Sequence, residues 1–207
     1  MLEDSADLGR RMRTGRFSRG TLIKGSVAGL GALAGGAVGA TELLASPDRH
    51  GSAATDKAIL TFALLIERLQ SAFYAEALRT AGLTGETRQF AQVVGQEERA
   101  HVKALEAVLG AAGGTTPRFK FGDAVSDHAK FLATAISLEE TGLGVYNGQA
   151  VNLTPKTLAA AARIVSVEAR HAAWARALTG KLPAPVPVDV PVTVSQAKKT
   201  FGQFIAS

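Results

Sequence analysis

Four long segments of the chain carry apolar residues at spacings of three and four, and turn residues separate them. The segments cover roughly residues 55–81, 85–112, 124–152 and 155–179. This spacing places the apolar side chains on one face of a helix. The chain is rich in Ala and poor in aromatic residues, which also favours helix over sheet. Four helices that each bury one face predict an all-α fold, an up-down four-helix bundle.

Turn and cap residues set the expected ends of these helices. Thr84 opens the second segment, Asp123 is the expected N-cap of the third, and Thr154 with Pro155 opens the fourth. Gly180 follows the end of the fourth segment. The link between the second and third segments is the longest, so the sequence predicts two helical hairpins joined by one long connection.

A glutamate interrupts each apolar stripe near its middle, and two of the stripes add a histidine one turn later. The six residues are Glu67, Glu98, His101, Glu139, Glu168 and His171. Residues three apart lie on one helix face, so a carboxylate and an imidazole can converge on one ion. Four buried carboxylates without partners would be prohibitively unstable, whereas two divalent cations would neutralise them. One Glu from each of two helices and a Glu-x-x-His from each of the other two is a dinuclear carboxylate arrangement, and we predict two metal ions.

Two other interpretations of these six residues are open at this point. The two Glu-x-x-His pairs could be ordinary solvated patches on two helices, or the carboxylates could be buried, protonated and free of metal. The chain has no Cys, so any metal must be held by Glu, Asp or His. Glu and His ligands suit both iron and manganese, and the motif alone does not separate them; we expect iron first and manganese second. His128 lies too far along its helix from Glu139 to be a ligand and is expected at a helix end or on the surface.

The two predicted hairpins repeat each other. Glu67 and Tyr74 recur 72 residues later as Glu139 and Tyr146, and the Glu-x-x-His pairs recur at an offset of 70. This repetition predicts a pseudo-twofold axis between the hairpins. Tyr74 and Tyr146 are either core tyrosines with satisfied hydroxyls or supporting partners of the metal ligands. Neighbouring Glu97 and Glu140 are expected to face outward or to support the ligands.

Two glycines, Gly142 and Gly144, lie inside the third segment. Each costs about 1 kcal/mol in a helix interior. A close helix contact or a local π-bulge would explain them, and the sequence does not choose between the two.

The first 46 residues have the composition of an export signal with a linker. A basic stretch precedes an apolar run rich in Gly and Ala, from Val27 to Ala40, and a polar stretch follows. The apolar run is too short to span a membrane as a helix. The stretch Ser18 to Lys24 resembles a twin-arginine motif, although Gly20 stands where the second Arg is expected. We expect export to the periplasm, cell envelope or outside of the cell; the alternative is a disordered basic tail on a cytosolic protein.

The predicted domain organisation is a signal segment and linker over residues 1–46, a bundle over 47–180 and a tail over 181–207. The tail begins as a Pro-interrupted extended run and is expected to end in a short helix capped by Ser195. Phe201, Phe204 and Ile205 are expected to attach this helix to the bundle. The net charge is +5, and the chain has no basic stripe interleaved with aromatics, so we predict no nucleic-acid partner.

Four stretches of the sequence resemble successive helices of a known family. "FALLIERLQSAFYAEAL", "QEERAHVKAL", "LEETGLGVYNGQA" and "VEARHAAWARAL" are similar to the exported ferritin-like domain family, which includes bacterial proteins and plant desiccation-related proteins. The resemblance covers about residues 55–180. It implies that the six Glu and His residues are ligands of a dinuclear metal site. Gln70 stands where relatives often carry a second acidic residue.

The resemblance and the ligand pattern lead to three functional hypotheses. The first is an exported di-iron or di-manganese protein that acts on Fe²⁺, dioxygen or peroxide, with Fe²⁺ oxidation preferred over catalase-like dismutation. The second is a non-catalytic stress or envelope protein with a structural or empty metal site. The third is an interaction scaffold that uses the Pro-rich tail. Expected partners are metal ions and dioxygen or peroxide, with membrane contact only through the signal segment; an oligomer is left open.

Overall fold

The structure, a computed structural model, describes residues 51–206. The predicted export segment over residues 1–46 lies outside the described residues. Four long helices follow one another as α1 (Ala53–Thr80), α2 (Gly85–Leu109), α3 (His128–Gln149) and α4 (Pro155–Ala177). A short helix α5 (Val194–Gly202) follows, and three 3₁₀ turns cover Gly110–Gly113, Gly122–Val125 and Ala150–Asn152. The all-α prediction is confirmed: the described residues contain no strand, only one isolated bridge between Phe119 and Ile205.

The helices form two antiparallel hairpins, α1 with α2 and α3 with α4, as the sequence predicted. Asp56 near the start of α1 contacts Thr154 at the start of α4, so these two ends lie at the same end of the bundle. Thr80 at the end of α1 donates to the carbonyl of Val125, just before α3, at the opposite end. The segment between α2 and α3 therefore runs along the length of the bundle. Because of this crossover, α2 and α3 point in the same direction, so the predicted up-down order holds within each hairpin and not between α2 and α3.

Local sequence explains most helix starts and stops. The Ser52 side chain accepts a hydrogen bond from the backbone N–H of Thr55 and caps α1. Gly110, with φ +53°, ends α2 because few other residues adopt that conformation. Pro155 occupies the first turn of α4, as predicted, where its missing N–H costs nothing.

The predicted caps of two helices are wrong. Asp123 lies in the 3₁₀ turn Gly122–Val125, and the N-cap of α3 is Asp127, which accepts from the backbone N–H of Lys130 at 2.8 Å. The second correction concerns α5, whose N-cap is Thr193 and not Ser195. Thr193 forms a reciprocal capping box with Gln196, which satisfies two backbone donors with one pair of side chains.

Aromatic residues fill the end of the bundle where α3 begins. Phe73 stacks on Phe131 with ring centroids 5.4 Å apart, and Tyr74 meets both of these rings edge to face. Phe90 meets Tyr74 and Phe131 edge to face. At the opposite end smaller aliphatic side chains form a second cluster that includes Leu60, Leu64 and Leu105. The cluster of glutamates and histidines lies between these two apolar regions, which keep bulk water away from it.

Although α1 is long and apolar enough to cross a membrane by length and composition, half of its most apolar stretch is buried inside the bundle.

The tail lies against α3 and joins the core. Phe201 and Phe204 are buried as predicted, whereas Ile205 is partly exposed. The backbone N–H of Val192 donates to the carbonyl of Gly144 at 2.8 Å. A Cβ at Gly144 would overlap the Val192 side chain, and one at Gly148 would lie 2.6 Å from the Val192 carbonyl oxygen. Close approach of the tail therefore explains Gly144; α3 is α-helical throughout, so the alternative of a π-bulge is wrong.

Candidate metal centre

The four long helices bring all six predicted residues into one buried cluster. Each of the four carboxylates is fully buried, and the two imidazoles are nearly so. They come from different helices: Glu67 from α1, Glu98 and His101 from α2, Glu139 from α3, and Glu168 and His171 from α4. The interpretation of the two Glu-x-x-His pairs as solvated patches is therefore wrong. Whether the six residues are metal ligands stays a prediction.

The six side chains form two overlapping groups, each compact enough to surround one ion. The first contains Glu67, Glu98, His101 and Glu168, and the second contains Glu98, Glu139, Glu168 and His171. Within each group one atom of every residue lies within 4.8 Å of the others. Each group contains one glutamate and one histidine that the other group lacks. Both groups share Glu98 and Glu168, so these two carboxylates could contribute to either group.

The Nδ1 atom of each histidine faces the carboxylates. His101 Nδ1 lies 3.1 Å from Glu168 Oε1, 3.3 Å from Glu67 Oε2 and 3.5 Å from Glu98 Oε2. His171 Nδ1 lies 3.0 Å from Glu98 Oε1 and 3.2 Å from Glu139 Oε2. Glu98 thus presents one oxygen to each histidine, which suits a carboxylate shared between two ions.

Most of these close approaches lack the alignment of hydrogen bonds. Within the described part of the chain, both oxygens of Glu98 and Glu168, Glu139 Oε2 and His171 Nδ1 are buried without a hydrogen-bond partner. Buried polar atoms are normally paired, so buried carboxylate oxygens that lack a donor and point at one another call for positive charge between them. Carboxylate oxygens and imidazole nitrogens suit divalent transition metals. The residues present therefore fit a metal, and these two groups could hold metal ions.

Burial and mutual repulsion shift the pKa values of the glutamates in the metal-free cluster. Burial raises the pKa of Glu98 and of Glu168 well above its usual range, and the neighbouring carboxylates raise both further. Burial would also raise the pKa of Glu67, but hydrogen bonds, chiefly with His101, outweigh it and lower that pKa. Without metal, the cluster therefore keeps protons that a metal ion would displace.

The two histidines hold protons more tightly than free imidazole does. Burial opposes a charged imidazole, but contacts with Glu168, Glu67 and Glu98 raise the pKa of His101 to about 12. For His171 the same opposition is overcome chiefly by Glu139, and the pKa rises to about 9. Both rings are therefore protonated at neutral pH in the absence of metal.

Two tyrosines donate hydrogen bonds across the pseudo-twofold axis to the two glutamates that each belong to only one group. Tyr74 of α1 donates to Glu139 Oε1 on α3 at 2.6 Å, and Tyr146 of α3 donates to Glu67 Oε1 on α1 at 2.5 Å. Each hydroxyl occupies Oε1 and leaves Oε2 directed at the nearer histidine. Burial, followed by these carboxylates, raises the pKa of both tyrosines well above the usual range, so both stay neutral donors. They are thus core residues and partners of the candidate ligands at once.

Glu97 contributes more than its place in the sequence suggested. Its side chain is about half exposed, yet its Oε2 lies 2.6 Å from Nε2 of His171. A carboxylate on the outer nitrogen of a metal-binding histidine fixes the ring and its tautomer. Glu140, in contrast, faces outward and pairs with Arg176. The only sequence signal for Glu97 was its position beside Glu98, since helical spacing alone places it off the inner face.

Two other predicted side chains also have defined positions. His128 is exposed at the first position of α3, and its Nε2 lies 2.7 Å from the Thr87 hydroxyl, so it is a helix-end residue as expected. Gln70, which sequence reasoning left without a role, is fully buried and donates from Nε2 to Glu139 Oε1 at 3.1 Å. Its mid-stripe position one turn after Glu67 was the signal that could have identified it.

Comparison with known protein families finds one match. A family model described as a ferritin-like domain matches residues 55–181, which spans all four long helices and all six clustered residues. No curated protein matches the chain. The match covers more than half of the sequence, and the described helical bundle agrees with it. The chain belongs to the ferritin-like domain family.

Proposed function

We propose that this chain is an exported protein with a dinuclear metal centre that oxidises Fe²⁺ or reacts with dioxygen or peroxide. The observation that carries the proposal is the pair of overlapping ligand groups that share Glu98 and Glu168. Two ions so close together suit a reaction that takes up two electrons. Two Fe²⁺ ions would each lose one electron and become Fe³⁺, and the two electrons with two protons would convert one hydrogen peroxide into two water molecules.

The protein's own residues have three roles in this proposal. Glu98 and Glu168 would hold both ions, and their charges would compensate the ions inside a dry core. Tyr74 and Tyr146 donate to Oε1 of Glu139 and Glu67, which would leave Oε2 of each free to hold an ion. The aromatic and aliphatic clusters above and below restrict access to small molecules.

Metal analysis of the purified protein is the first test. We expect two metal ions per chain after reconstitution with Fe²⁺ without oxygen, and rapid oxidation when oxygen or peroxide is mixed in. The double variant Glu98→Ala/Glu168→Ala should lose both ions, because each ion loses two of its four protein ligands. Glu76→Ala, a change on the outer side of α1, is the matched control and should keep both. Equal metal content in the two variants would refute the site.

The same experiment separates redox chemistry from a structural role. Two tightly bound ions that show no change of oxidation state with oxygen or peroxide would favour the non-catalytic envelope protein over the oxidising one. Iron and manganese are distinguished by loading each in turn and comparing affinities and peroxide consumption.

Export is proposed from the composition of residues 1–46 alone. If it is correct, the cell should contain a full-length precursor, and the exported fraction should contain a shorter form that lacks the basic and apolar stretches. Mass spectrometry of both fractions measures this. A single full-length species confined to the cytosol would rule out export, without bearing on the metal centre.

A further inference from the structure

A chain of aromatic rings connects one side of the candidate metal centre to the surface of the bundle. Trp174 on α4 is partly exposed, and its ring meets Phe90 on α2 edge to face, with centroids 5.3 Å apart. Phe90 in turn meets Tyr74 on α1 edge to face, with centroids 5.8 Å apart. Tyr74 donates to Glu139 Oε1 at 2.6 Å. The contacts therefore run without a break from the solvent to a carboxylate of the second ligand group.

Trp174 and Tyr74 are the two members of this chain that can give up an electron readily. Indole and phenol are the most easily oxidised aromatic side chains, whereas the benzene ring of Phe90 can only provide electronic coupling between them. The sequence has one Trp, two Tyr and no Cys, and both Met residues precede the described part. Tyr146 is therefore the one other easily oxidised aromatic or sulfur-containing side chain within residues 51–206.

Both oxidisable residues have a proton acceptor in hydrogen-bond contact. Loss of an electron makes a phenol O–H or an indole N–H strongly acidic, so the proton needs an acceptor within hydrogen-bond reach. The Tyr74 hydroxyl donates to Glu139 Oε1, and Nε1 of Trp174 donates to Glu86 Oε1 at 3.1 Å. Each side chain can therefore lose an electron and a proton together, which avoids an unpaired charge on a ring inside the bundle.

The aromatic chain belongs to only one half of the pseudo-twofold arrangement. Tyr146, the counterpart of Tyr74, lies in the aliphatic cluster and forms no ring-to-ring contact in the part of the chain that the structure describes. At the offset of 70 that relates α2 to α4, the counterparts of the indole and the benzene ring are Ala104 and Ala160. The rings are therefore not a consequence of the repeat, and only one tyrosine is connected to the surface.

We propose that Trp174, Phe90 and Tyr74 form a path for single electrons between the surface and the metal centre. The inference rests on the proposed function and adds a partner, a small one-electron reductant in solution. Where iron supplies only one of the two electrons that peroxide takes up, Tyr74 supplies the other and passes its proton to Glu139. Trp174 then gives an electron to the Tyr74 radical, which regains its proton, and Nε1 of Trp174 passes a proton to Glu86. The reductant returns one electron to Trp174, Glu86 returns the proton, and the reductant is oxidised by one electron.

Pulse radiolysis of the full chain loaded with Zn²⁺ tests the path without redox chemistry at the metal. Azide radicals produced by the pulse oxidise exposed indole by one electron, and the single Trp makes the starting point unambiguous. We expect the absorbance of the indole radical to fall while that of a phenoxyl radical rises, at a rate that does not depend on protein concentration. An indole radical that decays only in collisions between molecules, without a phenoxyl signal, would overturn the proposal.

Substitutions along the path identify the route. Tyr74→Phe should abolish the phenoxyl signal, whereas Tyr146→Phe, the matched change in the other half, should keep it. Phe90→Leu should slow the transfer several-fold, because the ring that couples the indole to the phenol is lost. Phe119→Leu, which alters an aromatic contact outside the path, should leave the rate unchanged. A phenoxyl signal that persists in Tyr74→Phe, or equal rates in the two Leu variants, would refute the route.

Electron paramagnetic resonance of the iron-loaded protein tests the connection to the metal centre. One Fe²⁺ per chain with excess hydrogen peroxide should leave a protein radical, which ascorbate removes. Trp174→Phe should slow this removal, because the radical on Tyr74 then lacks its outer electron donor. Fe²⁺ oxidation without any protein radical would overturn the connection between the path and the centre. Fe²⁺ that is not oxidised at all would instead overturn the proposed function, which the radiolysis experiment does not require.

Discussion

The two hairpins of this bundle carry the same candidate ligands but support them differently. Glu67 and Glu139 correspond at an offset of 72, and the two Glu-x-x-His pairs correspond at an offset of 70. The tyrosine hydrogen bonds are reciprocal, each from one hairpin to the glutamate of the other. The hydrogen bond from a tyrosine of one hairpin to a glutamate of the other is thus duplicated across the bundle.

The surroundings of the two histidines are not duplicated. His171 is held from outside by Glu97, whereas the residue equivalent to Glu97 on α4 is Val167, which cannot accept a hydrogen bond. The His101 side chain is also the more exposed of the two, 10% against 3%. The difference indicates that the two candidate ligand groups are not equivalent, with a fixed imidazole in one group and a less constrained imidazole in the other.

Two ion pairs on the outside of the bundle show how far the duplication extends. Arg68 on α1 pairs with Glu106 on α2, and at the equivalent positions Glu140 on α3 pairs with Arg176 on α4. The position is retained while the charges are reversed. Partly exposed pairs contribute little stability, so the sequence is free to vary there. Symmetry is strict only where the dry interior demands it.

Among the changes that test this comparison, removal of either histidine should have the largest effect on metal affinity. His101→Ala and His171→Ala should each weaken metal binding at one position by more than about 100-fold, since loss of a ligand exceeds loss of a supporting partner. Calorimetric titration with Mn²⁺ measures the two affinities separately. His128→Ala, at the exposed start of α3, is the control and should change neither. Equal effects from His101→Ala and His128→Ala would contradict the assignment.

Glu97 tests whether the two positions truly differ. Glu97→Ala should weaken metal binding about 10- to 100-fold, and only at the position that involves His171, because the outer nitrogen loses its acceptor. Val167→Ala alters the equivalent place in the other half and should leave both affinities unchanged. The same titration serves as the measurement. A uniform loss at both positions in Glu97→Ala would show that the positions are equivalent after all.

Metal binding should weaken as the pH falls. The pKa values of His101 and His171, raised to about 12 and about 9, mean that both rings carry a proton at neutral pH without metal, and burial also raises the pKa of Glu98 and Glu168; a metal ion must displace the protons that these groups hold. Each proton released lowers the affinity about tenfold for each pH unit below neutrality. Calorimetry at pH 7 in two buffers of different ionisation enthalpy counts the released protons. Binding without proton release would show that the carboxylates are already deprotonated and the imidazoles already neutral before the metal binds.

The smallest expected effect concerns the contact that joins the two hairpins at their ends. The buried Asp56 on α1 accepts from the backbone N–H of Thr154 at 2.9 Å and from the hydroxyls of Thr154 and Thr157 at the start of α4. Asp56→Ala should lower the free energy of unfolding by about 1 kcal/mol at pH 7. Chemical denaturation measures this, and Asp189→Ala, on the exposed tail, is the control.

The sign of the pH dependence follows from the Asp56 carboxylate. Burial opposes its charge, but hydrogen bonds from Thr154 and Thr157 outweigh burial and lower the pKa below 3.8. The stabilisation is therefore complete above about pH 4 and disappears as the pH falls through the lowered pKa. The difference between Asp56→Ala and the unmodified protein should shrink in that range. A constant difference down to pH 2 would mean that packing, and not charge, accounts for the effect.

Prediction from sequence succeeded for features that depend on the spacing of residues within a single helix. The period of three and four residues defined the four helices, and it placed Glu98 with His101 and Glu168 with His171 on inner faces. Prediction failed for the start of α3, where Asp123 and Asp127 are both plausible caps and the 3₁₀ turn Gly122–Val125 intervenes. Local propensities for the two caps are nearly equal, so packing of the neighbouring turn decided between them.

The sequence by itself determined the helices, the pairing of Glu with His at one turn, and the repetition that links the two halves, because these depend on helical geometry within one segment. Only the tertiary structure decided which partners meet across helices. It brought Tyr74 to Glu139 and Tyr146 to Glu67, gave the outward Glu97 a contact with His171, and set Gln70 beside Gly142. Those contacts depend on how four helices are turned and set against one another, and the spacing within a single helix holds no information about that.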